Sequence, residues 1–335
     1  MIEDIKNSIK EEFEFIKFDL IDWNNILDSS LNNITVCYLK NTVNYYVEYF
    51  DGENLSFVLC ENNRSVGIYP LFIYKNENNW LISGNGTSLI KPLFINSISK
   101  KTKKKLEKKI VEIVEKIASN LGIKKVELFD DSINLSSWYL LWLKKANKNF
   151  LTYQLAINLQ LTIESIRLGF RKSYKPLVNK ALKEFDIDVC DDDIEYTFEE
   201  FRLLHLKVAG KETRSRKTWN IQKEQVKNNE AFLVTVRDQN VLIGAGLFTY
   251  TKDTGSYSVG AYKRELFNKP IGHGVQMKAI ETLKEKGCKI YHIGQKTTML
   301  DESKPTDKEL SISHFKEGFS GYVYVQPHLG VDING

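Results

Sequence analysis

The sequence predicts an α/β (α+β) protein built from two similar domains, each a mixed, mainly antiparallel sheet flanked by helices. Three observations predict it. Residues Ala231 to Gly294 read hairpin, strand, glycine-bearing turn, helix, strand. A weaker copy of that order runs from Ser56 to Phe129. At 335 residues the chain is long for one domain and comfortable for two.

The stronger copy opens with AFLVTV-RDQN-VLIGAGLFTY, two β-branched and aromatic runs around a polar, turn-forming tetrapeptide. SYSVGAY is the third strand. In GVQMKAIETLKEKG, Val275, Ala279, Ile280 and Leu283 recur at helical spacing, and KIYHIG closes the unit. Between third strand and helix stands KPIGHG, Lys269 to Gly274. Glycines at such a handover leave backbone N–H groups free to face an anion, with help from the helix dipole. The amides of Gly272, His273 and Gly274 are the candidate donors, and Lys269 is the candidate charge partner. Pro270 has no N–H and only shapes the loop.

In the weaker copy, SFVLCENNRSVGIYPLFIY matches the hairpin, with Phe57 on Phe232, Gly67 on Gly244 and Leu71-Phe72 on Leu247-Phe248. A strand containing Trp80, Leu81 and Ile82 follows. The next helix runs from about Lys100 to Asn120, with Leu106, Ile110, Ile113, Ile117 and Leu121 on one face. Gly122 ends it as Gly287 ends the second helix, and IKKVELF matches CKIYHIG. SGNGTSLIKP replaces KPIGHG, so no glycine pair stands at the first helix start. All five histidines (His205, His273, His292, His314, His328) lie in the second half. If the chain does chemistry, this asymmetry leads us to expect the second copy to hold the cofactor and the first to be a structural partner or substrate platform. The polar KKANKN after an apolar run sets the boundary, giving domains 1–147 and 148–335.

A composition of 42% hydrophobic and 27% charged residues is that of a soluble globular protein. The net charge of +4 is too small to argue for nucleic acid, and no DNA partner is expected. The four cysteines show no CxxC spacing and read as reduced thiols, with neither a disulfide frame nor a metal site. The N-terminus, MIEDIKNSIKEEFEF, lacks the apolar core of a signal peptide. No run approaches the roughly 18 apolar residues of a membrane span. The expectation is a cytoplasmic protein. KKTKKKLEKK, with apolar residues opposite, reads as a solvated helix face.

The order hairpin, strand, glycine turn, helix, strand resembles the core of the GNAT acyltransferase fold. Lys269-x-x-Gly272-x-Gly274 resembles the family's pyrophosphate loop, with Lys in place of Gln or Arg. Two such domains in one chain resemble the FemAB-like branch, including bacterial members that accompany surface-polysaccharide genes. FRKSYKPLVNKAL, HLKVAGKETRSRKTWNIQ and DKELSISHFKEGFSG support that branch over residues 165 to 325. The first half matches only as architecture. The FemAB enzymes that extend peptidoglycan cross-bridges use aminoacyl-tRNA and often carry a coiled-coil insertion, which is absent from the second half here.

The resemblance implies an N-acyltransferase that moves an acyl group, with acetyl the first expectation, from acetyl-CoA or another acyl-CoA to an amine. The expected acceptor is an amino sugar or nucleotide sugar of cell-surface glycan synthesis. GNAT chemistry needs no metal and no covalent enzyme intermediate. One alternative is an aminoacyl-tRNA-dependent transferase acting on a peptidoglycan precursor. The other is a non-catalytic GNAT-like binding protein.

The remaining candidates follow from the same segments. Arg171, Lys172 and Tyr174, from a basic cluster around Pro176, are substrate-binding candidates; the plainer reading of the cluster is a solvated face. Gly210 is expected to end the helix begun near Thr197. His205, Glu212, Arg214 and Trp219 then fall on or just after its end. By resemblance, Arg214 can clamp a carboxylate or phosphate, Trp219 joins it as a substrate-binding candidate, and Glu212 or His205 can deprotonate an amine; from the residues alone the segment reads as a capped turn with a core Trp. Tyr291 and His292 alternate on the closing strand, so only one faces a cleft, and with Tyr262 they are the general-acid candidates. Thr306-Asp307-Lys308-Glu309 fits a capping box for a helix to about Glu317, with Ile312 and Phe315 facing the core and Gly318 ending it. By resemblance, Lys316 in FKEGF stabilises the developing oxyanion or a donor phosphate.

Overall fold

Both halves contain a hairpin with the same tight turn. Phe57–Glu61 and Arg64–Tyr69 are joined by Asn62 and Asn63, and Ala231–Asp238 and Val241–Tyr250 by Gln239 and Asn240. All four turn residues have positive φ, between 48° and 66°. This is the type I′ arrangement, whose twist matches that of the flanking strands. The loop of the second hairpin is thus two residues, because Asp238 still pairs with Val241.

The structure is a computed structural model that describes residues 2–30, 34–132, 135–190, 193–301 and 304–333. Its contacts divide the chain into two units, Met1–Thr152 with Gln326–Gly335, and Tyr153–Val325. The C-terminal segment groups with the first unit for a physical reason. Leu329, Val331 and Ile333 are buried in that unit's core. Residues 328–332 pair antiparallel with 125–129.

In the first unit the helix Lys100–Leu121 buries Leu106, Ile110, Ile113 and Ile117, and Gly122 caps it in the left-handed conformation at φ 66°. The strand equivalent to Val241–Tyr250 is broken. Pro70 separates Arg64–Tyr69 from Phe72–Asn76, which pair into different sheets. Proline offers no amide to a ladder.

The second unit keeps that strand whole. Its sheet runs, in spatial order, Asp186–Val189, Ala231–Asp238, Val241–Tyr250, Thr254–Tyr262, Ile290–Lys296, then residues 153–158. All neighbours are antiparallel except Thr254–Tyr262 with Ile290–Lys296, which are parallel and connected through the helix Ile271–Glu285. Val275, Met277, Ala279, Ile280 and Leu283 of that helix are fully buried against the sheet. On the other face, Phe198, Phe201, Leu204 and Trp219 from two helices cover Leu233, Leu242, Ala245 and Leu247.

Candidate functional site

A cleft in the second unit is lined along Tyr257–Gly260, next to the stretch in which its two parallel strands pair. Their pairing covers Thr254–Ser256 against Ile290–His292. Beyond it each strand carries a register shift. Ser258 is the extra residue on one, since Leu247 faces Val259 while Phe248 faces Tyr257. Ile293 is the extra residue on the other, between the His292–Ala156 and Gly294–Leu155 pairs. A bulge bends its strand and disrupts the ladder locally. The cleft is about 680 Å³ and is lined by residues that include His205, Tyr257, Ser258, Tyr262, Phe267, Lys269, Gly272, His273, Lys308, Phe315 and Lys316. Among the described residues that line it there are three lysines and no carboxylate. Such a lining favours an anion.

Lys316 is the central cation. It leaves the helix Asp307–Glu317, whose start is the expected Thr306–Glu309 capping box. Among the described residues no carboxylate pairs with its ammonium, which lies 5.5 Å from the centre of the Tyr257 ring. Burial pushes its pKa below the ordinary lysine value. Gly294 leaves it room: φ is 148°, and a Cβ there would stand 2.6 Å from Lys316 Nζ. The Tyr257 and Tyr262 hydroxyls are 2.9 Å apart. Burial raises both, Tyr257 to about 12. Gly260 makes this pair possible, because a Cβ would meet the Tyr257 hydroxyl at 1.9 Å.

The glycine turn is only partly what the sequence suggested. The helix begins at Ile271, so Gly272, His273 and Gly274 lie inside it. The amides of His273 and Gly274 already donate to the Pro270 carbonyl (3.0 and 3.2 Å) and are not free for an anion. Gly274 is buried, and a Cβ would approach Ile187 Cδ1 to 2.3 Å and Ala181 Cβ to 3.0 Å. Its service is close packing of two helices and a strand. Gly272 faces the cleft instead, with Phe315 Cζ 3.2 Å from where a Cβ would stand. The first helical amides, of Ile271 and Gly272, precede the intrahelical ladder. Lys269 is exposed on the cleft rim.

His273 sits among the rings of Tyr174, Phe315 and Phe319 (centroids 4.5, 5.2 and 5.7 Å away), with Nε2 buried and unpartnered. Burial lowers its pKa to about 4. A neutral buried histidine gives a signed prediction. The unfolded chain takes up the proton near pH 6.5 and the folded one only near 4, so this contribution is complete above pH 6.5 and is lost as pH falls towards 4. His273→Leu should make the fall in melting temperature between pH 7 and 4.5 shallower than in the wild type. An unchanged pH profile would show that the ring is not held neutral.

His205 reaches the cleft from the helix Ile194–Ala209, which Gly210 ends at φ 73° as expected. Burial, and then the Arg214 charge, lower its pKa to about 4. Glu212 is exposed and shares a narrow recess with His205, Arg202 and Lys211, outside the main cleft lining. Arg214 donates to Gln222 Oε1 (3.2 Å) and lies over Trp219 (4.9 Å), which is itself core at 4% exposure. Arg171 is engaged by His314, through Nε2 (2.8 Å) and the backbone carbonyl (3.1 Å). Tyr174 is buried and donates to the Phe315 carbonyl (3.2 Å). Lys172 is exposed. These five do not line the cleft; Arg171 and Tyr174 brace the Lys316 helix.

Two expectations are corrected outright. Tyr291 is fully buried, its hydroxyl donating to Gln276 Oε1 (2.6 Å), so it faces the core and not the cleft. Its strand neighbour His292 is bonded to the Tyr324 hydroxyl (2.9 Å). Ile312 is 44% exposed and lines the cleft, while Ser313 takes the buried position on that helix. Gly318 does follow the helix, but with φ −63°, and it is small because Tyr174 would lie 2.1 Å from a Cβ. Sequence reasoning missed Tyr257, Phe267 and Lys308 as cleft residues. Nothing in the residue pattern marks the Ser258 bulge that turns Tyr257 and Ser258 to the opening.

Among the described residues no helix is long and apolar enough to cross a membrane, and no cluster of His, Cys, Asp or Glu is placed to hold a metal. No protein-family model and no curated protein matches the sequence. Solved structures do match over nearly the whole chain. FemX superposes with a TM-score of 0.66 at 13% identity, covering 93% of this chain and 96% of its own. The C-terminal domain of a lysylphosphatidylglycerol synthetase from Agrobacterium fabrum gives 0.61 at 10% identity, covering 94% and 92%. L-PGS from Bacillus licheniformis gives 0.59 at 11%, covering 95% and 93%. The chain therefore has the fold shared by FemX and the lysylphosphatidylglycerol synthetase domain.

Proposed function

We propose that the second unit is an N-acyltransferase whose cleft binds an acyl-CoA. The observation that carries this is the cleft itself, with three lysines, two hydroxyl-paired tyrosines and no carboxylate among its described lining residues. The donor's pyrophosphate meets the Ile271 and Gly272 amides and Lys269. The acceptor amine attacks the thioester carbonyl carbon; the C–N bond forms and the C–S bond breaks. Lys316 stabilises the oxyanion between those events. His205, neutral above about pH 4, accepts the amine proton. The Tyr257–Tyr262 pair supplies a proton to the leaving thiolate. The proposed acceptor is the amine of an amino sugar or nucleotide sugar in surface-glycan synthesis, and the proposed compartment is the cytoplasm.

Calorimetry with acetyl-CoA and other acyl-CoAs tests the donor, and thiol release with a panel of UDP-amino sugars tests turnover. No binding at millimolar CoA would sink the reading. A second reading, an aminoacyl-tRNA-dependent transferase acting on a peptidoglycan precursor, is favoured by the likeness to FemX and the synthetase domain. It predicts binding of charged tRNA that weakens steeply with salt.

A further inference from the structure

We propose that Phe267 is a stacking platform for the donor's adenine, so that the donor is a nucleotide thioester and not a phosphopantetheine borne on a carrier protein. The inference rests on the acyl-CoA reading of the cleft and goes beyond it. Phe267 is 68% exposed, yet it lines the cleft. A single exposed apolar side chain is ordinary on a protein surface. This one stands in a particular chemical setting. It directly follows the short 3₁₀ turn Arg264–Leu266, two residues before Lys269 and four before the first residue of the helix Ile271–Glu285. The chain order, a ring and then Lys269 with the helix amides, mirrors the order base and then pyrophosphate in CoA. Lys269 and Lys308 are exposed, line the same cleft, and make no ion pair among the described residues. An exposed aromatic face in a cleft that also carries these cations suits a flat base attached to phosphates, because every base has a π-face and stacking needs no matched hydrogen bonds.

An acyl chain or a pantetheine arm would be served by the same apolar ring, but neither contains a base. The experiment separates them. Dissociation constants for CoA and for 4′-phosphopantetheine are measured by calorimetry on the full chain, for wild type, Phe267→Ala and Phe267→Tyr. The substituted side chain is surface, so folding is preserved, and circular dichroism checks it. Wild type should bind CoA roughly 10-fold or more tightly than 4′-phosphopantetheine. Phe267→Ala should bind CoA about 10-fold more weakly with phosphopantetheine binding unchanged, and Phe267→Tyr should keep the wild-type affinity. Unchanged CoA affinity in Phe267→Ala overturns the platform and leaves the acyl-CoA reading standing. An equal loss for both ligands also overturns it, because the ring then serves the arm. If wild type binds neither, the acyl-CoA reading fails and takes the platform with it.

Discussion

Lys316→Met should lower kcat by about two to three orders of magnitude with little change in KM. The reason is placement. The ammonium sits in the cleft without a carboxylate partner, beside the Tyr257 ring and in the space that Gly294 leaves open. A cation held there gains most when negative charge develops on the substrate, and the thioester ground state carries none. Removing it should not destabilise the fold, since methionine fills similar volume and no ion pair is broken among the described residues. Burial disfavours the charged form, so the native pKa lies below the unfolded one. Wild-type stability should therefore gain as pH rises through the native value towards 10.5, and Lys316→Met should lack that gain. A variant with full turnover, or one that melts early at neutral pH, would assign Lys316 to packing instead. Steady-state thiol release and thermal unfolding are the two readouts.

Substituting the two glycines of KPIGHG should give opposite results. Gly274→Leu should cost about 3 kcal/mol of stability through overpacking, because Ile187 and Ala181 already occupy the space a side chain needs. Gly272→Ala should leave stability within about 0.5 kcal/mol of wild type and weaken CoA, since its neighbour is the ring edge of Phe315 in the cleft. Urea unfolding and calorimetry on both variants make the comparison. If Gly274→Leu folds normally and only loses CoA, the packing assignment is wrong and the whole turn is a phosphate loop.

The pair shows what a motif conveys and what it leaves out. Gly-x-Gly at a strand-to-helix handover is legible, but the residue at which the helix starts is not. Here it starts at Ile271, so the Pro270 carbonyl takes two of the three amides that the motif offered. Proline at the cap, with no amide of its own, accepts into the helix that follows. Tyr291 was misjudged for a related reason. Alternation says that one of Tyr291 and His292 faces each side of the strand, and only the helix packed on the sheet decides which side is core; Gln276 on that helix holds the tyrosine.

The sequence by itself determined the elements and their order. Helical spacing of Val275, Ala279, Ile280 and Leu283, the Asn and Gln-Asn hairpin turns, the Thr306–Glu309 capping box and the glycine C-caps are local effects, and local physics is written in adjacent residues. The tertiary structure alone decided the cleft. It is lined from Tyr257 to Gly260, around the Ser258 bulge, on a strand whose parallel partner arrives only after a helix has crossed between them. It also depends on Lys316, brought in by a helix later in the chain. Pairings between residues far apart in sequence depend on which apolar faces bury together. No window of adjacent residues contains that information.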